Sequence, residues 1–428
     1  MSQLPAAPGQ TGTVRGRSSP WGQAGRRWSA PARRALVAAI SSKPSMSTGV
    51  PLASLVAVCD QDELVGLAIS EGVAGLASKT LGQCLSPIQR ASLRAEVRQE
   101  TVRHLAYLDL LERFGAALEE ADVAWVVLKG PVLTELAYGG VSRGYTDLDL
   151  LVPALRLRRA VQALEAVGAV LADRNWSRLI REAKGELSMS IYGSPMIDLH
   201  WHLLYLRSAR QRFMLPTDEI LERRQRVRLG AADAWALEPT DFAVHLALHA
   251  SFDGAQRLRR LLDLERTLAN RPPDWEVLVQ RCHAWRVSFP VGVLLNRARE
   301  TLGAAVPEEV IRELAGGPLE RLVVRQLSGW VPYMPGRRSV FSGLTRSMRD
   351  GVLTTATEFA DEAWRGLGEV LDPGLIEPTD PRHFLYESGG PLGFEHYVQM
   401  VENTDRYGRL SKRDLRRFAL LTSTGRGQ

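Results

Sequence analysis

The sequence predicts a mixed α+β protein: a small mixed sheet flanked by helices, followed by a mostly helical second domain. Three observations predict it. Residues 52–121 carry apolar side chains at helical spacing. Between 122 and 205 the period shortens to that of strands, broken by glycine and proline. From Thr217 onward helical spacing returns.

The chain has 428 residues, enough for two or three domains with their own cores. Apolar residues make up 45% and charged residues 24%, as in an ordinary globular protein. No run approaches the roughly 18 apolar residues of a membrane span, so no membrane partner is expected. Cys59, Cys84 and Cys282 are far apart and lack metal-ligand spacing, which fits a reducing, cytoplasmic setting.

The net charge of +6 is unevenly placed. Residues 1–45 hold seven cations and no acid, which leaves −1 on residues 46–428. The basic excess belongs to the tail, so the body shows no overall pull toward nucleic acid. The arginines at 207–212 and 223–228 read as solvated faces. Residues 1–47, rich in Ser, Pro, Gly and Arg, are expected to be a disordered basic tail, or an extension ahead of a true start at Met46. Their apolar stretch ALVAAI (35–40) is short for a signal-peptide core.

Residues 52–121 form the N-terminal helices, with Asp60 and Ser86 as N-caps and Pro87 in a first turn. Leu93, Val97, Val102, Leu105, Leu108, Leu111, Phe114 and Leu118 are expected to form one buried stripe. Residues 122–205 follow as the α/β core. Val123–Leu128 reads as a strand, Lys129-Gly130 as a turn, and Pro131–Ala137 as a helix ended by Gly139-Gly140. Thr146–Val152 is a strand, Leu155–Val167 a helix, and Leu187–Tyr192 with Met196–His202 a hairpin. Residues 206–329 are expected as a helical domain, with helices at 241–251, 258–268, 274–285 and 287–328. Residues 329–345 read as a loop, and 346–428 as a separate appendage of unknown role.

Chemistry concentrates in the α/β core. Side chains alternate along a strand, so Asp147 and Asp149 in TDLDLLV share one face while Leu148 and Leu150 enter the core. By the same rule Asp198, His200 and His202 share a face in MIDLHWH, the two histidines as accessory groups. Three carboxylates on neighbouring strands hold a hard cation such as Mg²⁺ and suit phosphoryl or nucleotidyl transfer. Gly130 allows close backbone approach, Lys129 adds a point charge, and Arg143 lies within reach of a triphosphate. The plainer alternative is that the aspartates cap a strand end and bind water.

Other candidates carry less. His245 and His249 lie one turn apart, but HLALH lacks the glutamate of a zinc-protease motif, and the pair reads as a helix face packed under the α/β core. Asp263 in RRLLDLERTL reads as a salt-bridged structural acid.

The succession WVVLKGPVLTELAY, SRGYTDLDLLV, MIDLHWHL, EPTDFAVHLALHAS, LRRLLDLERTL and DWEVLVQRCHAW resembles an uncharacterised bacterial nucleotidyltransferase-like family of the DNA polymerase beta-type superfamily. The resemblance spans roughly residues 55–310. It implies a nucleotidyltransferase-type mixed sheet and transfer of a nucleoside monophosphate from an NTP, ATP foremost, using Mg²⁺ or Mn²⁺. It also implies Asp147 and Asp149 as metal ligands, and Asp198 as a third ligand that helps deprotonate the acceptor. Lys129-Gly130 stands where the superfamily usually has glycine–serine, a departure that bears on phosphate binding. The acceptor stays open: a small molecule or peptide first, RNA or protein second. A catalytically inactive nucleotide-binding or scaffolding protein is the alternative.

Overall fold

Seven strands form one mixed sheet whose order brings distant parts of the chain together. The structure, a computed structural model, describes residues 28–41, 50–172, 174–191, 196–252, 257–328, 348–349, 351–358, 360, 387–388 and 390–423.

Helix α1 (Ala30–Ile40) starts at Ser29, whose Oγ accepts the Ala32 N–H at 3.3 Å. Its face of Ala32, Ala35, Leu36, Ala39 and Ile40 is buried against α2 (Leu52–Ala57), α3 (Gln61–Ser70) and α4 (Ala74–Leu81). The expected disordered tail is therefore corrected for residues 28–41: ALVAAI belongs to a packed helix. The remainder of that tail lies outside the described residues.

Helix α5 (Pro87–Glu120) begins with the expected Ser86 cap and Pro87. Its buried stripe is not wholly apolar. Val102 and Leu105 are exposed, whereas Glu100, His104 and Tyr107 are buried with Leu93, Leu108, Leu111, Phe114 and Leu118. The stripe keeps its helical spacing by passing through polar residues that meet the 135–145 segment.

Strand β1 (Val126–Val127) is shorter than the expected run. After Gly130 the chain makes a π-type turn over Leu133–Ala137, where an α-helix was expected, with the Tyr138 N–H reaching the Leu133 carbonyl at 2.9 Å. Then come β2 (Asp147–Leu151), α6 (Leu157–Ala166), β3 (Val170–Leu171), β4 (Arg174–Asn175), α7 (Trp176–Glu182), β5 (Glu186–Ser190) and β6 (Met196–His200). The sheet order is β3-β5-β6-β2-β1-β8-β7. Strands β2 and β6 are parallel, and β1 runs antiparallel to β2.

The last two strands of this sheet, β7 (Gln225–Leu229) and β8 (Ala232–Ala236), follow α8 (Arg207–Arg210) and α9 (Thr217–Glu222). They lie within the segment expected to be helical, yet extend the sheet, β8 pairing in parallel with β1. The arginines read as a charge run are the outward side of this hairpin: Arg226 and Arg228 are exposed and Leu229 is buried. Gly230 turns the hairpin at a φ of +57°, a conformation that favours glycine.

The helices α10 (Pro239–Phe252), α11 (Leu258–Asn270), α12 (Trp275–Ala284), α13 (Ser288–Leu302), α14 (Glu308–Ala315) and α15 (Pro318–Ser328) complete the second region. Helix α10 is apolar nearly all round and buried between α11, α12 and α13. Residues 387–388 form β9, parallel to β4, followed by α16 (Gly390–Glu402) and α17 (Lys412–Ser423). The segment expected as an appendage packs onto the α/β core here. Tyr397 Oη donates to the Lys184 carbonyl at 2.6 Å and accepts from Trp201 Nε1 at 2.9 Å. The expected loop at 329–345 lies outside the described residues. Among the described residues no helix is long and apolar enough to cross a membrane.

Candidate active site

The parallel pairing of β2 and β6 sets Asp149 opposite Asp198, with Leu148 opposite Ile197 and Leu150 opposite Leu199. The four apolar residues are fully buried on one face, which forces the aspartates onto the other. Asp147 joins them from the start of β2. One carboxylate oxygen from each of Asp147, Asp149 and Asp198 lies within 4.8 Å of the others.

Neighbouring elements fix Asp149 and Asp198. Strand β5 puts Ser188 beside Asp198, and Ser188 Oγ donates to Asp198 Oδ1 at 2.9 Å. Asp149 Oδ1 lies 3.1 Å from Lys129 Nζ and 3.1 Å from His200 Nε2. His200 Nδ1 is 3.3 Å from Glu186 Oε2, and Lys184 Nζ is 3.2 Å from Glu186 Oε1. On the other side Lys129 Nζ donates to His249 Nε2 at 2.9 Å. A chain of polar contacts thus runs from His249 on α10 through Lys129, Asp149 and His200 to Glu186 on β5.

Burial and mutual repulsion set the electrostatics. Burial first, then the Asp149 charge, raises the Asp147 carboxyl above its ordinary range; Lys129, Arg260 and Arg259 act against that rise. Burial and the charges of Glu186 and Asp149 push Asp198 up to about 6. Burial would also raise Asp149, but Lys129 and His200 outweigh it and hold this carboxyl low. Burial disfavours charge on His200, yet Glu186 and Asp149 raise it overall. Burial and Lys129 bring His245 down to about 3.

Gly130 follows Lys129 with a φ of +53°, and a Cβ there would meet the Tyr145 ring at 3.1 Å. Only glycine satisfies both conditions without strain. Two expected members have other partners. Arg143 is buried in a bidentate pair with Asp263, at 2.6 and 2.5 Å, and Tyr138 Oη donates to the same Asp263 at 2.8 Å. That guanidinium ties the β2 approach to α11 through Asp263 and still feels the charge of Asp147. His202 lies beyond the end of β6, where its Nδ1 accepts the Leu204 N–H at 2.9 Å. The strand stops at His200, so the alternation that would have placed His202 in the site no longer applies.

Several neighbours escaped the sequence reading. Ser188 and Glu186 share the Asp198 side of the sheet only because β5 pairs with β6. His249 reaches Lys129 across 120 positions. Tyr107 of α5 is buried near the carboxylates, and burial followed by the Asp147 charge raises its hydroxyl. The period of α5 and the i, i+4 spacing in HLALH were signals, but neither states what the helix packs against.

The donor set suits a hard divalent cation. It consists of three carboxylates, with no sulfur, on adjacent strands of a rigid sheet. Their mutual repulsion is what a cation would relieve.

A family model described as "Uncharacterised nucleotidyltransferase" matches residues 58–303, more than half of the chain. It spans the three aspartates, Lys129, His249 and Asp263. No curated protein and no solved structure matches the chain. The chain belongs to this nucleotidyltransferase family.

Proposed function

We propose that the protein transfers a nucleoside monophosphate from an NTP, ATP foremost, to an acceptor hydroxyl. The observation that carries this reading is the register that sets Asp198 opposite Asp149 with Asp147 alongside. A divalent ion, Mg²⁺ or Mn²⁺, held by these three residues would polarise the α-phosphate and favour the alkoxide of the acceptor. Asp198, oriented by Ser188, takes the acceptor proton. The acceptor oxygen bonds to the α-phosphorus as the bond to pyrophosphate breaks. Lys129 and the Gly130 turn receive the phosphates, with Arg260 as a second cation on the Asp147 side. The acceptor fits a small molecule or peptide best, because residues 46–428 carry a formal charge of −1 and offer RNA no net attraction.

A non-catalytic nucleotide-binding scaffold has one point in its favour: Lys129-Gly130 stands in place of the usual glycine–serine pair, so the serine is missing. The clustering of all three carboxylates weighs against it, since like charges held together at a partly buried site are costly without a cation. Calorimetry of each NTP, with and without Mg²⁺, on wild type and on Asp147→Asn/Asp149→Asn separates the two. Metal-dependent binding that the variant loses supports transfer. Equal binding by both proteins sinks it.

A further inference from the structure

Lys129 is almost wholly buried, and its ammonium lies between two partners from different regions. Asp149 Oδ1 is 3.1 Å away and His249 Nε2 is 2.9 Å away. An ammonium has only hydrogens to offer, so His249 Nε2 must accept and the ring must be neutral. Burial, then Arg260 and Lys129, hold His249 well below its ordinary range, in keeping with that role. Helix α10, which carries His249, packs against α11, α12 and α13, and His249 itself is half-buried. The helical region therefore pins the lysine to one carboxylate of the cluster.

We infer that Lys129 is the resident counter-ion of the three aspartates, positioned by His249, and that it cedes Asp149 when a divalent ion binds. The inference rests on the transferase reading above. A divalent ion ligated by Asp149 would face an ammonium within contact distance of the same carboxylate, and the two cations repel. Lysine sits on a flexible four-carbon stem, unlike the planar fork of arginine, and can move from one anion to another. The nearest new anion is the triphosphate that arrives with the metal. Lys129, beside the turn that lacks the usual serine, thus neutralises the cluster first and binds phosphate afterwards. His249 is a positioning residue in this scheme, acting only through Lys129.

The test measures Mn²⁺ affinity by calorimetry without nucleotide, on wild type, Lys129→Met, His249→Leu and Asp149→Asn. Removing the competing cation should tighten Mn²⁺ binding by Lys129→Met about tenfold, or about 1.4 kcal/mol. His249→Leu should tighten it less, in the same direction. A purely structural lysine would give the opposite sign, because a disordered site binds metal more weakly. A second readout needs no substitution at the site. The chain has only five lysines, at positions 43, 79, 129, 184 and 412, so the Lys129 ammonium can be followed by lysine-selective NMR. Its signal should move on Mg²⁺ addition. Metal binding by wild type that is lost in Asp149→Asn, with no tightening in folded Lys129→Met or a stationary Lys129 signal, overturns the inference and leaves the transferase reading intact. Failure of wild type to bind either ion brings down both.

Discussion

Asp149 and Asp198 stand opposite each other in a parallel strand pair, yet they have different partners. Asp149 is held by Lys129 and His200, and Asp198 by Ser188. The two carboxylates are therefore not interchangeable. Asp149→Asn should abolish metal-dependent nucleotide binding and also lower the melting temperature of the metal-free protein. Removing one partner of a buried ion pair costs about 3 kcal/mol. Asp198→Asn should abolish transfer without that loss, because no cation is left unpaired. Calorimetry and thermal melts of both variants check this, and equal melting temperatures would contradict it.

Ser188→Ala removes the hydroxyl that orients Asp198. Hydrogen bonds behind a metal ligand are typically worth about 10- to 100-fold in affinity or activity. Mn²⁺ binding should weaken by at least about tenfold, while the circular dichroism spectrum stays that of wild type. Unchanged affinity would mean that Asp198 needs no such support.

Arg143 and Asp263 test whether a conspicuous arginine serves substrate or structure. Each partner is about 2% exposed, and the pair is bidentate. Arg143→Met should destabilise the protein by about 3–5 kcal/mol, because Asp263 is left charged and buried. Arg143→Met/Asp263→Leu should recover much of that loss. Urea unfolding measures both. A stable Arg143→Met with raised KM for nucleotide would restore the phosphate-binding role.

Glu100 gives the protein a pH dependence outside the aspartate cluster. It is 3% exposed and takes a hydrogen bond from Ser142 Oγ. Burial is the main cause that raises its carboxyl from 4.5 to about 7; Ser142 acts against that rise, and Glu96 adds to it. The folded state thus holds this proton more tightly than the unfolded state. Stability from this group is fully present below 4.5 and is lost as pH rises toward about 7. Glu100→Gln should leave stability nearly unchanged at pH 4.5 and raise it by up to about 3 kcal/mol at pH 8. Melting temperatures of both proteins across that window decide it, and a parallel shift at all pH values would contradict it.

The sequence by itself determined what depends on local period and local chemistry. Alternation in TDLDLLV put Asp147 and Asp149 on one face because Leu148 and Leu150 had to be buried. The Asp60 and Ser86 caps and the Gly130 turn follow from the hydrogen-bonding and conformational preferences of single residues. The tertiary structure decided what depends on partners far along the chain. Register between β2 and β6 brought in Asp198 and, with β5, Ser188. Packing of α10 delivered His249 to Lys129, and packing of α11 took Arg143 for Asp263, each across 120 positions. The β7–β8 hairpin and helix α1 were misread for the same reason: one looked like a charge run and the other like a tail until their apolar sides met a partner. A side chain's period fixes which face it occupies, but what that face meets is set by pairing and burial over the whole chain.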